Sequence, residues 1–350
     1  MTRFINDEKE RNEFTFNEIK KSFEKHYTSC ESYRRYCELH QFGPDDLNDF
    51  EDLYKIPQIP TAIFKGIDVC SADKALCKCC TSSGTKGAVS KIYRDRATIT
   101  AFVESVVTGA GLMHGLKADS CVILNLGPDA EEAGDIWLAY VTGFLKNAVE
   151  SYNFMHSGVV ETERLIEKIG SIPQDKRIVI LGAPALFMKV FHDMQEKDIT
   201  LSLPENAVVF TAGGWKSVSG KAVTRDELCA CFFRYFGITG DQYFDVFNQV
   251  ESNTPFFECR CHRKHIPAGF LAFTRDPVSL EKLEDGEEGV LCFLDSSAES
   301  YPAFVITDDI GHITEGCECG LGGQVFSFTR RVRTVETKGC ALKLEQSVAR

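Results

Sequence analysis

Three short apolar runs, each with a glycine at or next to its end, constrain the fold of this chain most strongly. They are SCVILNLG (120–127), RIVILGA (177–183) and NAVVFTAGG (206–214). Neighbouring segments such as IWLAYVTGFLKNAV and PALFMKVFHDMQEK repeat their apolar residues at helical spacing. Strands that alternate with helices predict an α/β domain with a parallel sheet, whose ligands collect at the carboxyl ends of the strands.

The pattern differs on either side of this region. Apolar residues recur at helical spacing from Phe16 to Tyr27, and Pro57 and Pro60 then interrupt the pattern. Beyond about residue 240, strand-like runs such as AGFLAFT, EGVLCFL and YPAFVIT alternate with turn residues. We therefore predict four segments: a helical lead-in (1–56), an α/β core (57–240), a β-rich subdomain (241–328) and a terminal segment (329–350).

Composition excludes several classes of partner and location. The chain has 39 basic and 51 acidic residues, and the resulting net charge of −12 repels nucleic acid. The first residues lack the apolar core of a secretory signal, and no run is long and apolar enough to span a membrane. We therefore expect a cytoplasmic protein. Its 15 cysteines are an odd number, so metal binding, catalysis or packing explains them better than a disulfide framework does.

The stretch TSSGTKG has the composition of an anion-binding loop. Glycine lets the backbone approach an anion closely, amides and hydroxyls donate to its oxygens, and lysine adds positive charge. The spacing differs from that of the G-x-x-x-x-G-K-[ST] nucleotide loop, and a flexible surface turn is the alternative interpretation. The candidate phosphate-binding residues are Thr81, Ser82, Ser83, Gly84, Thr85, Lys86 and Gly87.

TSSGTKG also resembles the phosphate loop of the adenylate-forming superfamily of acyl-CoA ligases, adenylation domains and luciferases. Four further stretches resemble motifs of that superfamily and follow in the expected order, so that the resemblance covers about residues 57–350. They are TAGG (211–214), FNQVE (247–251), VITDDIG (305–311) and TRRVRTVETKG (329–339). Departures from the family pattern occur at Lys86, Asn248, Asp308, Thr329 and Arg333.

The resemblance implies a nucleotide site with assigned roles. TAGG would line the adenine and acyl pocket, the FNQVE glutamate would hold magnesium, and the VITDDIG aspartate would bind the ribose hydroxyls. The arginine of the hinge motif would contact ribose or phosphate. Beside the phosphate loop, the implied ATP-binding residues are Gly213, Gly214, Asn248, Glu251, Asp309 and Arg330.

The end of the chain narrows the resemblance further. In the full-length superfamily the hinge leads into a mobile C-terminal domain, whereas here only eleven residues follow Gly339. This pattern is similar to the acyl-protein synthetases of bacterial fatty-acid reductase systems (LuxE type), which also share the IPQIPTAIFK segment, Ile56 to Lys65. The resemblance implies a hinge and tail at 329–350, with Cys340 as acyl acceptor and with Arg330 and Lys86 as further catalytic residues.

The implied chemistry is consistent with the residues around Cys340. A carboxylate that attacks the α-phosphate of ATP forms an acyl-adenylate, and a thiolate can then displace AMP. Lys338, Lys343 and Arg333 would favour the thiolate. The expected partners are a carboxylic acid, such as a fatty acid, and an acyl-accepting reductase or carrier protein. Alternatives are a packed Cys340, a ligase that loads coenzyme A or a carrier protein, and an inactive relative that serves as a binding subunit.

Two cysteine-rich stretches predict a structural zinc site. ECRCHRKH (258–265) and GCECGLGG (316–323) could each supply two ligands to a tetrahedral thiolate and imidazole site. Separately packed thiols are the alternative. A similar arrangement in phenylacetate-CoA ligase-like enzymes favours, as ligands, Cys259 or Cys261 together with His265, Cys317 and Cys319.

Overall fold

A computed structural model describes residues 3–83, 88–213 and 223–331. The helices are α1 (Glu8–Ser29), α2 (Glu31–Leu39), α3 (Arg96–His114), α4 (Trp137–Phe144), α5 (Thr162–Ser171), α6 (Pro184–Glu196) and α7 (Arg225–Phe236). The strands are β1 (Ile59–Pro60), β2 (Lys78–Thr81), β3 (Lys91–Arg94), β4 (Cys121–Asn125), β5 (Ser151–Asn153), β6 (Met155–His156), β7 (Val159–Val160), β8 (Arg177–Gly182), β9 (Val208–Ala212), β10 (Tyr243–Phe247), β11 (Phe256–Phe257), β12 (Lys264–His265), β13 (Phe270–Arg275), β14 (Gly289–Asp295), β15 (Ala303–Glu315) and β16 (Gln324–Arg331).

Two units divide these elements. The first comprises Met1–Ser105, Gln249–Phe256 and Arg263–Arg350, and the second comprises Val106–Asn248 and Phe257–His262. Each unit is therefore assembled from segments that are distant in sequence. The four predicted segments, with boundaries after residues 56, 240 and 328, stay a prediction.

A parallel sheet forms the centre of the second unit. Its strands lie in the order β10-β9-β8-β4-β5, and each neighbouring pair is parallel. Ile178 and Ile180 of β8 belong to the core on one face, which includes residues of α6 and α7, whereas Val179 belongs to the core on the other. Burial on both faces explains the nearly continuous apolar runs in the sequence. The predicted α/β class is confirmed.

The first unit contains an antiparallel sheet. Its strands lie in the order β12-β16-β15-β14-β13, and the short β1 pairs in parallel with β15. The runs AGFLAFT, EGVLCFL and YPAFVIT contribute to β13, β14 and β15. The longest of these strands, β15, carries the predicted ribose-binding aspartate.

The amino-terminal helix α1 packs its apolar stripe into the first unit. Asp7 caps it, since Oδ1 of this residue accepts a hydrogen bond from the backbone N–H of Glu10 at 2.8 Å. Ile19 and Phe23 are completely buried, and Phe23 contacts Phe304 of β15 with ring centroids 6.3 Å apart. Within the described part of the chain, every helix is too short or too polar to cross a membrane.

Candidate nucleotide-binding site

The β2–β3 hairpin carries the predicted phosphate loop. Thr81 pairs with Lys91 at the end of the hairpin. Beyond this pair, the backbone N–H of Ser82 donates to the carbonyl oxygen of Ser90 at 3.1 Å, and the N–H of Ser90 donates to Oγ of Ser82 at 3.2 Å. The hydrogen bonds between Ser82 and Ser90 thus form the base of the loop, and Ser83 is the next residue of the loop. The loop residues Gly84, Thr85, Lys86 and Gly87 lie outside the described residues.

A glycine ends strand β9 at the predicted adenine loop. Gly213 has a φ of +87°, a left-handed conformation that side chains rarely adopt. A Cβ atom at this position would also lie 2.7 Å from Cδ2 of Leu138. The backbone angle therefore favours glycine here, whereas the Leu138 side chain could move to relieve the close approach. Gly214, the next residue of the motif, lies outside the described residues.

Asn248 belongs to the second unit, at the end of the same sheet. Its Oδ1 accepts a hydrogen bond from Nε1 of Trp137 at 2.8 Å. This contact fixes the Asn248 side chain. The superfamily motif has a glycine at this position. Asn248 therefore has a structural partner that its sequence position did not reveal.

Glu251 lies in the first unit and is buried with 8% of its surface exposed. Burial raises the pKa of its carboxyl group, and this effect is opposed by a hydrogen bond with Ser90 and by the positive charge of Arg94. Ser90 is also the residue that closes the base of the phosphate loop. A buried carboxyl group that contacts Ser90 at the base of that loop fits a magnesium ion, because the cation would supply charge that favours the ionised form.

Asp309 lies on β15 and is 2% exposed. One carboxylate oxygen accepts a hydrogen bond from Nε of Arg331 at 3.0 Å, and the other accepts one from Nε2 of Gln249. Its backbone N–H donates to Oγ1 of Thr307 at 3.1 Å, which fixes the strand locally. Burial raises the pKa of Asp309, and Arg331 opposes this shift. Donors from the chain itself thus orient the carboxylate of Asp309.

Asp309 pairs with Arg331, an arginine that the sequence motifs did not single out. Across β15 and β16, Asp309 is opposite Arg331, whereas Arg330 is opposite Ile310. Successive residues of a strand point to opposite faces, so Arg330 and Arg331 project to different sides. Arg331 was missed by motif alignment, and the strand register reveals it.

Three of the predicted zinc ligands come together in the first unit. The ligand atoms of His265, Cys317 and Cys319 all lie within 4.8 Å of one another, with Nε2 of His265 3.3 Å from Sγ of Cys319. The N–H of Leu321 donates to Sγ of Cys319 at 3.4 Å. Burial lowers the pKa of His265 to about 4, and its buried Nδ1 has no hydrogen-bond partner among the described residues.

The two remaining zinc candidates share a hydrogen bond within their own segment. Cys259 is buried, and its Sγ accepts a hydrogen bond from the backbone N–H of Cys261 at 3.3 Å. A sulfur atom that accepts an N–H bond from two residues further along the chain occurs at both Cys259 and Cys319. The predicted acyl acceptor, Cys340, lies outside the described residues.

Comparison with known proteins identifies the family. The family model "Acyl-protein synthetase, LuxE" matches residues 3–349. The chain belongs to the LuxE acyl-protein synthetase family. This confirms the resemblance found in the sequence motifs, and it makes the protein a ligase.

Two relatives that align over most of the chain are bacterial ligases. A long-chain-fatty-acid–luciferin-component ligase of Vibrio harveyi is 32% identical over 341 residues, which cover 97% of this chain and 89% of the relative. The enzyme of the same name from Aliivibrio fischeri is 32% identical over 331 residues, covering 93% and 86%.

Solved structures support the adenylate-forming fold. The structure of 2-hydroxyisobutyryl-CoA ligase in complex with 2-HIB-AMP and CoA aligns with a TM-score of 0.72 and 14% identity, covering 95% of this chain and 70% of the other. A long-chain-fatty-acid-CoA ligase (FadD1) from Archaeoglobus fulgidus aligns with a TM-score of 0.50 and 15% identity, covering 76% and 53%. These likenesses confirm the predicted fold class.

Proposed function

We propose that this chain activates a long-chain fatty acid with ATP and then carries the acyl group as a thioester on Cys340. Membership of the LuxE family, with relatives named as long-chain fatty-acid ligases, is the observation that carries the proposal. An oxygen of the fatty-acid carboxylate attacks the α-phosphorus of ATP, and pyrophosphate leaves. The Cys340 thiolate then attacks the acyl carbonyl, and AMP leaves.

The buried carboxylates and the hairpin loop support the first step. Glu251 would ligate the magnesium ion of MgATP beside the loop that begins at Ser82. Asp309 would accept hydrogen bonds from the ribose hydroxyls. Lys86 and Arg330 would stabilise the phosphate charges that develop in the reaction. A magnesium ion in this position would polarise phosphoryl oxygens as a Lewis acid.

Exchange of labelled pyrophosphate into ATP tests the first step. We expect exchange that depends on both magnesium and a long-chain fatty acid such as hexadecanoic acid. Short acids of two or three carbons should support it poorly, because they bury less apolar surface. If no fatty acid supports exchange, the chain is an inactive relative and the proposal is wrong.

The second step determines which acceptor receives the acyl group. We propose transfer from Cys340 to an acyl-accepting protein, such as a reductase, in the cytoplasm, where thiols stay reduced. The rival is direct transfer to coenzyme A, as the name of the 2-hydroxyisobutyryl-CoA ligase indicates for that enzyme. Labelled hexadecanoic acid and ATP, with and without coenzyme A, separate the two.

The matched variants for this experiment are Cys340→Ala and Cys231→Ala. Cys231 is a partly buried thiol whose pKa is raised by burial, so its removal should leave loading intact. Label that remains on the parent and on Cys231→Ala, but not on Cys340→Ala, supports the thioester. Label that appears only on coenzyme A supports the rival.

We propose separately that a structural zinc ion is bound by Cys259, His265, Cys317 and Cys319. Three of these ligand atoms lie within 4.8 Å of one another, and Cys259 comes six residues before His265 in sequence. The N–H bonds that Cys259 and Cys319 accept are typical of partners that orient a metal ligand. Thiolates with one imidazole match the preference of structural zinc.

Metal analysis of the full chain tests the zinc proposal. We expect about one zinc per chain, as one tetrahedral site requires. Cys319→Ser should lose the metal, whereas Cys77→Ser, which removes a half-buried thiol outside this group, should retain it. A parent protein without zinc after purification in zinc-containing buffer would contradict the proposal.

A further inference from the structure

A buried arginine holds the backbone on both sides of Glu251. Arg94, the last residue of β3, has no exposed surface. Its Nη2 donates to the carbonyl oxygen of Val250 at 2.6 Å and to that of Ser252 at 3.1 Å. These two carbonyl groups belong to the residues that flank Glu251. Their position limits how far the Glu251 backbone can rotate, and hence where its carboxylate points.

Further contacts fix the guanidinium group itself. Nε of Arg94 donates to Oδ1 of Asn253 at 3.2 Å, and Nη2 also donates to the hydroxyl of Tyr301 at 3.0 Å. The guanidinium carbon lies 5.2 Å from the centroid of the Tyr301 ring. A planar guanidinium group offers several donors in a fixed arrangement, which the single flexible ammonium of lysine lacks.

The buried carboxylate of Asp295 accepts hydrogen bonds from donor groups of the same turn. Oδ2 of Asp295 accepts from the backbone N–H of Asn253 at 2.8 Å and from Oγ of Ser252 at 3.0 Å. Its Oδ1 accepts from Oγ1 of Thr254 at 3.0 Å. Arg94 therefore binds the backbone carbonyl groups of Val250 and Ser252 and the side-chain oxygen of Asn253, whereas Asp295 binds N–H and hydroxyl groups of the same turn.

Burying a guanidinium group is costly, because it stays protonated and must be compensated by charge and hydrogen bonds. A turn that needed only packing could use apolar residues at this position. Arg94 opposes the rise in the pKa of Glu251 that burial causes, so the cation also favours the ionised form of that carboxyl group. Ser90, which comes directly before β3 and four residues before Arg94, also contacts Glu251.

We infer that Arg94 is a positioning residue that aims the Glu251 carboxylate at the magnesium ion and ties it to the phosphate-loop hairpin. The inference rests on the proposed role of Glu251 as a magnesium ligand. Ser90, the residue before β3, closes the base of the loop and contacts the carboxylate, while Arg94, at the end of β3, holds the backbone behind it. The base of the phosphate loop and the turn that carries Glu251 are therefore both hydrogen-bonded to the short segment 90–94.

Magnesium titrations of pyrophosphate exchange test this inference in the full chain. Arg94→Lys keeps the positive charge but removes the planar set of guanidinium donors. We therefore expect the magnesium concentration for half-maximal exchange to rise about 10-fold, as for other residues that orient a metal ligand. The KM for hexadecanoic acid should stay unchanged. Tyr301→Phe removes one acceptor of Arg94 and should shift the magnesium requirement in the same direction by about 2-fold.

Arg275→Lys is the matched control. Arg275 also holds structure through several contacts in the same unit, donating to Oε1 of Gln58 at 2.9 Å, to the carbonyl of Leu280 at 2.8 Å and to that of Tyr54 at 2.6 Å. Its replacement should lower the melting temperature without changing the magnesium requirement. This separates a role in aiming the carboxylate from a general loss of stability.

Glu251→Asp is the reference variant that separates the proposed magnesium role of Glu251 from the inferred positioning role of Arg94. If Glu251→Asp raises the magnesium requirement but neither Arg94→Lys nor Tyr301→Phe does, the inference about Arg94 is wrong and the proposed function stands. If Glu251→Asp leaves the requirement unchanged, its magnesium role is wrong and the inference about Arg94 goes with it. When Arg94→Lys does not fold, the result for Tyr301→Phe decides between the outcomes.

Discussion

Glu251 and Asp309 are both buried acids in the same unit, but their surroundings differ. Asp309 accepts hydrogen bonds from Arg331 and Gln249, so its charge is already compensated by donors. Glu251 has the Ser90 hydroxyl at its carboxyl group, and Arg94 binds the neighbouring backbone carbonyls. Burial raises the pKa of both. The comparison indicates that Asp309 could accept hydrogen bonds from neutral hydroxyl groups, whereas a bound cation would stabilise the ionised form of Glu251 more strongly.

The largest effect should come from Glu251→Gln. An amide keeps the shape but is a poor magnesium ligand, so we expect pyrophosphate exchange to fall by about 100-fold, the scale of losing one major electrostatic contact. The melting temperature should not fall, because the variant no longer buries an ionisable group. If the variant kept pyrophosphate exchange within a few-fold of the parent, Glu251 would not have the magnesium-binding role that distinguishes it from Asp309.

Asp309→Asn should act on nucleotide affinity. The neutral side chain accepts weaker hydrogen bonds than the carboxylate, and we expect the KM for ATP to rise about 10-fold. The magnesium requirement should stay that of the parent, measured under saturating ATP. An altered magnesium requirement with an unchanged KM would show that the two acids do not have separate roles.

The pH dependence of stability sharpens the same contrast. Because burial raises the folded-state pKa of Glu251 above its ordinary 4.5, the parent loses stability as pH rises through that raised value. Glu251→Gln lacks this loss, so it should exceed the parent in free energy of unfolding by on the order of 1 kcal/mol near neutral pH. Urea unfolding at several pH values should show the advantage disappearing near pH 4.5. If the difference in free energy of unfolding between Glu251→Gln and the parent did not change with pH, ionisation of Glu251 would not be its cause.

The smallest effect should distinguish the two adjacent arginines. Arg331 pairs with Asp309 while its own side chain is 69% exposed, so we expect Arg331→Ala to raise the KM for ATP by about 3-fold. Arg330→Ala should lower kcat instead, since we propose that Arg330 acts on the reacting phosphates. Equal effects of the two substitutions on KM would mean that the strand register does not separate their roles.

Sequence patterns predicted the elements whose signals are local. The glycine-terminated runs marked strands β4, β8 and β9 because their burial on both faces leaves an almost continuous apolar pattern. Motif order also found Glu251 and Asp309, which the structure describes as buried. Their roles in binding magnesium and ribose stay predictions.

The supporting residues could not be predicted in this way. Arg94 is separated from Val250 by 156 residues, and no short motif encodes a contact across that distance. Arg331 required the register of β15 and β16, which shifts between Ile310 and Gly311. Such partners are set by tertiary packing, so residue patterns alone did not reveal them, and the predicted role of Arg330 at ribose or phosphate stays a prediction.

Mass spectrometry of the intact full chain, followed by peptide mapping, tests the central claim most directly. After incubation with hexadecanoic acid, magnesium and ATP, the account predicts one acyl group on the peptide that contains Cys340, removable by hydroxylamine and absent without ATP. An unmodified polypeptide under conditions that yield hexadecanoyl-CoA once coenzyme A is added would contradict it.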